Sequence, residues 1–177
     1  MDFSLVPWKM DYVQSLAKHA NNLNVAANLR DVFPYPYTVE DAITYVNACI
    51  EQGEKKQLSR AILVNGEAVG SIGLFLKDDV YCKSAELGYW LGEAFWGNGI
   101  MTSAVMQVCK EAFLRFEIVR IFAEPFAHNL ASRHVLEKAG FQLEGILRNS
   151  VWKRERLYDS CIYALLKGEN LLSNQHL

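Results

Sequence analysis

The sequence lacks any run of about 18 uncharged apolar residues, so it offers no candidate membrane-spanning helix. Its opening, Met1 to Trp8, has no basic segment followed by an apolar core, which removes the reading of a secretory leader. A soluble, cytoplasmic protein that does not engage membranes is therefore expected. An excess of one charge is also missing: 18 Lys and Arg stand against 20 Asp and Glu, for a net charge of −2, with both signs interspersed. That balance argues against a protein that grips nucleic acid through a broad basic face. The cluster Lys153-Arg154-Glu155-Arg156 reads as a solvated turn. Cys49, Cys82, Cys109 and Cys161 lie far apart, with no Cys-x-x-Cys pair and no histidines at ligand spacing, so neither metal nor a disulfide framework is indicated. There is no repeat, linker or low-complexity tract. At 177 residues and 51% hydrophobic, the chain can build a single sizeable core. One domain over 1–168 is expected, with a frayed tail at 169–177 where the apolar pattern is lost.

What is present is an alternation of strand and helix patterns. Phe3 to Pro7 reads as a strand, and Asp11 to Asn21 carries Val13, Leu16, Ala17 and Ala20 at helical spacing. Arg30 to Tyr37 contains Phe33-Pro34-Tyr35-Pro36-Tyr37, a loop because its prolines forbid regular pairing. Thr38 fits an N-cap, with Glu40 and Asp41 in the first turn of a helix that runs to about Gln52. Gln57–Val64 and Ala68–Leu76 flank Asn65-Gly66, the pair that suits a type I′ hairpin because both central residues need positive φ. Ser84 to Leu91 alternates as a third strand of that sheet. Apolar residues from Ile100 to Phe116 mark a helix with a wide buried stripe.

Val119 to Ala123 is a short strand reached through that helix, as a right-handed crossover to a parallel neighbour requires. Asn129 to Ala139 is the next helix, stopped by Gly140 with Phe141 packing back. Phe141–Val151 and Leu157–Leu166 close the chain as two antiparallel strands. The fold class is α+β: a mixed sheet with helices on both faces.

Trp96-Gly97-Asn98-Gly99-Ile100-Met101-Thr102 joins the third strand to the long helix through two glycines. Glycine turns without a Cβ clash, and the first amides of the following helix have no intrahelical partner, so the bend is a candidate anion cradle.

In this order, Gly97-Asn98-Gly99 opening a helix, Asn129-Leu130-Ala131-Ser132 opening the next and Glu137-Lys138-Ala139-Gly140-Phe141 ending it resemble the GNAT N-acetyltransferases. Ala85-Glu86-Leu87-Gly88-Tyr89-Trp90-Leu91, the turn Glu144-Gly145-Ile146-Leu147-Arg148 and Tyr158-Asp159 are similar to the ribosomal-protein N-terminal acetyltransferase branch. The likeness runs from Phe3 to about Lys167. It implies a single-domain GNAT fold, with a splayed, mostly antiparallel seven-stranded sheet, and acetyl-CoA as cosubstrate without a metal. The pantetheine arm is expected in the gap between Ala85–Leu91 and Val119–Ala123, and the pyrophosphate on the N–H groups of Trp96, Gly97, Asn98, Gly99, Ile100, Met101 and Thr102. One departure is Ala94, where the family often carries Arg or Gln.

The resemblance also implies roles. Glu86 would accept the ammonium proton, against the plainer reading of an ion-paired strand glutamate. A strand amide near Leu91 would hold the oxyanion. Leu136 stands where many relatives have an acidic tyrosine, so Ser132 is the candidate at the sulfur, orienting a water or the thiol. Asn129 would cap its helix and bond the pantetheine amide. Phe33, Tyr35, Tyr37, Glu86 and Tyr89 are candidates for the acceptor groove, with loop anchoring the alternative for the three loop aromatics. Val151 occupies the position of a glutamate that some ribosomal-protein acetyltransferases use on the acceptor amine, so that specificity is not carried over.

The expected activity is direct transfer of acetyl to a primary amine in a ternary complex, on a monomer or homodimer. The acceptor is a protein or peptide N-terminus, or a small amine such as an amino acid, polyamine or aminoglycoside. The rival from another class is a catalytically silent acyl-CoA-binding sensor.

Overall fold

Local backbone chemistry decides where most elements start and stop. The computed structural model describes residues 1–169, so all but the first residue of the expected tail at 169–177 lies outside the described residues. Among the described residues the seven strands are β1 (Ser4–Val6), β2 (Gln57–Val64), β3 (Glu67–Leu76), β4 (Ser84–Leu91), β5 (Arg120–Ala123), β6 (Gln142–Lys153) and β7 (Arg156–Leu166). The helices are α1 (Val13–Ala20), α2 (Leu23–Ala26), α3 (Val39–Gln52), α4 (Ile100–Arg115) and α5 (Leu130–Lys138). Strand order is β1-β2-β3-β4-β5-β7-β6. β4 and β5 run parallel, whereas β1–β2, β2–β3, β5–β7 and β6–β7 are antiparallel, giving the mixed, mostly antiparallel sheet expected. The described residues form two compact units, Met1–Phe75 with Gly88–Ala104, and Leu76–Leu87 with 105–169.

In the first unit, α1 turns Val13, Leu16, Ala17 and Ala20 inward, the i, i+3, i+4, i+7 stripe of an amphipathic helix. They pack with Trp8, Tyr37, Ala42, Val46, Ala61 and Ala68. Each large apolar side chain buried there contributes about 1.5–3 kcal/mol. Polar atoms that enter this core are paired: Trp8 Nε1 donates to Ser59 Oγ at 3.2 Å, and the Tyr45 hydroxyl meets Ser71 Oγ at 2.7 Å. Burial pushes the Tyr45 phenol well above its ordinary range. The β2–β3 turn has φ of 50° at Asn65 and 84° at Gly66, as a type I′ turn demands. α3 begins with a reciprocal capping box: Asp41 N donates to Thr38 Oγ1 at 3.2 Å, and Thr38 N donates to Asp41 Oδ2 at 2.8 Å. One element was not anticipated. α2 has only four residues and no period to read, and it exists because the Asn22 side chain accepts from Asn24 N and Val25 N.

In the second unit, Ser84–Glu86 pairs with Arg120–Phe122, and Arg120–Ala123 pairs on its other side with Tyr163–Leu166. α5 ends in a Schellman motif, with Phe141 N donating to Leu136 O at 3.0 Å, Gly140 N donating to Glu137 O at 3.1 Å, and φ of 91° at Gly140. Tyr163 is fully buried, and its hydroxyl donates to Glu137 Oε1 at 2.7 Å while accepting from Arg133 Nε at 3.1 Å. The β6–β7 hairpin turns at Arg154 and Glu155, both at positive φ. Among the described residues, no helix is long and apolar enough to cross a membrane.

The capping box gives a stability prediction. Thr38→Ala should lower unfolding free energy by about 1 kcal/mol in urea denaturation. The Thr38 backbone and hydroxyl hold the Asp41 carboxyl below its ordinary 3.8. Its contribution is thus present above that value and lost as pH falls through the lower folded one, so Asp41→Asn should flatten stability against pH below about pH 4.

Candidate functional site

The strand-to-helix bend is built within the first unit. After a single 3₁₀ turn at Glu93–Phe95, the chain passes through Gly97 at φ 76° and Gly99 at φ 73°, then enters α4. Both values lie in the left-handed region, where a Cβ is unfavourable. A Cβ built on either glycine would meet nothing within 4 Å, so the bend presents an open face. Trp96 Nε1 donates to Leu91 O at 2.7 Å, which ties the bend to the end of β4. The Asn98 amide donates back to Trp96 O at 3.0 Å and to Phe95 O at 3.2 Å.

The first helical bond of α4 runs from Ser103 N to Gly99 O at 3.1 Å. Amides of Ile100, Met101 and Thr102 therefore precede the i→i−4 ladder, and the first turn holds no acidic side chain to occupy them. Ile100 and Met101 are buried and anchor the helix from its apolar side. Chemically this is a cluster of main-chain donors at the positive end of a helix, fit for a phosphate group.

Of the acceptor-groove candidates, Phe33 and Tyr37 form a ring cluster with Trp90, with centroids 4.9 Å apart for Phe33–Tyr37 and 5.5 Å for Phe33–Trp90. Tyr37 belongs to the core, and burial, followed by the charge of Asp41, pushes its hydroxyl up to about 12. Tyr35 is half exposed and Tyr89 is of intermediate burial. The aromatic loop is thus anchored by two of its three rings, and Tyr35 is the one presented outward.

The second unit carries Glu86, Asn129 and Ser132. Glu86 accepts from Lys77 Nζ at 2.8 Å, in an ion pair whose carboxylate is 18% exposed. The Lys77 ammonium also lies 5.4 Å from the Phe122 ring centroid, and Phe122 is the register partner of Glu86. Asn129 caps α5 through Oδ1, which accepts from Ser132 N at 3.1 Å. Leu136 is fully buried and supplies the carbonyl of the helix stop, so it is a packing residue. Two features escaped the sequence. Lys77 gave no signal as a partner for Glu86. Glu124, just past β5, accepts from the fully buried Ser160 hydroxyl at 2.7 Å, and Ser150 Oγ lies 2.7 Å from the same oxygen. Neither has a local pattern that could have announced it. Among the described residues there is no cluster of three or more potential metal ligands.

The family model described as an acetyltransferase (GNAT) domain matches residues 3–142. The probable N-acetyltransferase YjcK of Bacillus subtilis (strain 168) is 37% identical over 125 residues, which is 66% of this chain and 69% of that protein. The putative ribosomal N-acetyltransferase YdaF of the same organism is 35% identical over 112 residues, 63% of this chain and 61% of that one. Among solved structures, the Microcin C7 self-immunity acetyltransferase MccE in complex with acetyl-CoA and AMP has a TM-score of 0.82. It is 24% identical and covers 94% of this chain and 93% of its own, a likeness of fold.

The left-handed glycines generate a direct prediction. Gly97→Ala and Gly99→Ala should each destabilise the fold by about 1–2 kcal/mol in urea denaturation, through backbone strain and not collision. Asn at the same positions, which tolerates this conformation, should cost less than half as much.

Proposed function

The chain belongs to the GNAT acetyltransferase family, and from that membership we propose that it moves the acetyl group of acetyl-CoA directly to a primary amine in a ternary complex. The observation that carries the cofactor half is the bend: two glycines at positive φ opening a helix whose first turn is free of acidic side chains. The N–H groups from Gly97 to Thr102 would bind the cofactor pyrophosphate, with the α4 dipole favouring its charge; the Trp96 amide expected among them donates instead to Glu93 O at 3.1 Å, closing the 3₁₀ turn. Asn129 uses its side-chain oxygen on its own helix, which leaves the amide nitrogen as a donor for a pantetheine carbonyl. MccE, of the same fold, is known with acetyl-CoA.

In the transfer step the amine nitrogen forms a bond to the thioester carbonyl carbon, the C–S bond breaks, and the CoA thiolate leaves. The β4 amide near Leu91 would stabilise the developing oxyanion. The leaving thiolate has an ordinary pKa of about 8.5, so Ser132 needs only to orient it or a water. An acyl-enzyme is disfavoured for Cys109, whose thiol is buried and pushed up to about 12.

Two carboxylates compete for the amine proton. Glu86 is the base that the family position favours, and the hydrogen bond it accepts from Lys77 Nζ at 2.8 Å orients its carboxylate. Glu124 is the second reading, favoured by its hydrogen bond from the buried Ser160 hydroxyl, which orients the carboxylate at the end of β5. Among acceptors, a peptide or protein N-terminus is the leading class and small amines are the alternative.

A thiol-release assay with acetyl-CoA, run against peptides of differing first residue and a panel of small amines, should find acetyl-dependent release for one of these classes. Binding without release across both would support the silent sensor, and no binding would overturn the cofactor reading. On the substrate so found, the variant at the true base, Glu86→Gln or Glu124→Gln, should lower kcat by about 10²-fold or more and remove the acid limb of the pH profile. A Glu86→Gln enzyme with unchanged rate and profile would exclude Glu86.

A further inference from the structure

The 3₁₀ turn that delivers the chain to the glycine bend is gripped by an asparagine-rich corner, Asn21-Asn22-Leu23-Asn24, where α1 gives way to the first turn of α2 in the same unit. Asn22 Nδ2 donates to Glu93 Oε2 at 2.7 Å, and Asn24 Nδ2 donates to Glu93 Oε1 at 2.9 Å. Both carboxylate oxygens are thus held by neutral amides. The orientation of Asn22 is set from its other end, because its Oδ1 accepts from Asn24 N at 2.8 Å and Val25 N at 3.1 Å. Neighbouring contacts brace the turn: the His19 ring meets Phe95 edge-on at 5.3 Å, and Gly92 N donates to Val69 O at 2.7 Å. On the other side of the corner, Asn21 Oδ1 accepts from Tyr37 N at 3.1 Å, which fixes the end of the aromatic loop.

Glu93 stands four residues before Gly97. A helix N-terminus attracts a carboxylate for the same reason that it attracts a phosphate, so a loose glutamate here would compete for the first-turn amides of α4. Two neutral donors solve this in a way that a lysine or arginine would not. They satisfy the carboxylate without placing a cation beside the bend that would draw the anionic ligand away from the main-chain donors.

We infer that Asn22 and Asn24 are positioning residues for the cofactor bend: by holding Glu93 they fix the approach to Gly97 and keep the α4 amides open to a pyrophosphate. The inference rests on the acetyl-CoA reading given above. Neither asparagine touches the ligand in this account, and the effect travels through Glu93 alone.

The test compares acetyl-CoA with acetyl-pantetheine, which carries the same thioester and lacks the pyrophosphate. Asn22→Asp keeps the α2 cap, since aspartate caps as well as asparagine, but sets a carboxylate against Glu93. It should raise the acetyl-CoA KM about 10-fold with kcat within twofold, and leave the acetyl-pantetheine KM unchanged. Asn24→Asp should act likewise, which guards against a variant lost to misfolding, and thermal melts check both. Adding Glu93→Gln to Asn22→Asp restores a donor–acceptor pair across the same gap and should return the KM to within threefold of native. Glu93→Gln alone opposes one amide with another and should weaken acetyl-CoA about threefold, whereas a simple through-space charge effect would tighten it. Equal losses for both substrates, no rescue in the double variant, or tighter binding in Glu93→Gln would overturn the inference. Failure of the native protein to bind acetyl-CoA would instead overturn the cofactor reading beneath it.

Discussion

The proposed cofactor site depends on one backbone constraint, the left-handed turns at Gly97 and Gly99. They set the chain into α4 so that the first helical bond is made by Ser103, and the three amides before it remain outside the helical ladder. No side chain supplies this chemistry. It follows that the residues which matter most for the site are those that hold the turn in place: Trp96, bonded to the Leu91 carbonyl; Asn98, bonded back to Phe95 and Trp96; and Glu93, held by two asparagines. The donors are main-chain groups, so the identity of the side chain at Ala94 does not change them.

Much of the fold was legible because its signals are local. Asn65-Gly66, Thr38 with Asp41, Asn129, and Gly140 with Phe141 each act within about one helical turn or a hairpin turn, no more than five residues, and each appears where the backbone rules place it. α3 runs to Gln52 as read, and β2 and β4 match the expected spans. What was missed depends on distant partners or has no pattern. α2 is a four-residue helix held by a cap, and its asparagines reach Glu93, far along the chain. The β6–β7 turn falls within Lys153–Arg156 as read, but the positive φ of Arg154 and Glu155 is not advertised by those residue types, and both strands run closer to the turn than their sequence suggests.

The candidate site was legible in the same uneven way. The bend and Asn129 could be read because glycine and a capping asparagine have fixed stereochemical uses. Glu86 could be placed on its strand, but its ion pair with Lys77 could not be seen, nor could the hydrogen bond that Ser160 gives to Glu124. Carboxylates carry no positional signature, so which of them takes a proton is decided by neighbours that only the fold assembles. Phe33 and Tyr37 show the converse. A row of aromatics suggests a groove, and packing turns Tyr37 and one face of Phe33 to structural use, leaving Tyr35 outward.

The central claim is that main-chain amides at the start of α4 hold the cofactor's pyrophosphate. Amide NMR of the labelled protein during titration with acetyl-CoA tests it most directly. The account predicts that the largest shifts, together with new protection from hydrogen exchange, fall on Gly97 to Thr102, while the amides opening α3 at Val39 to Asp41 stay unmoved. Saturable binding with the Gly97 to Thr102 amides unperturbed would contradict it.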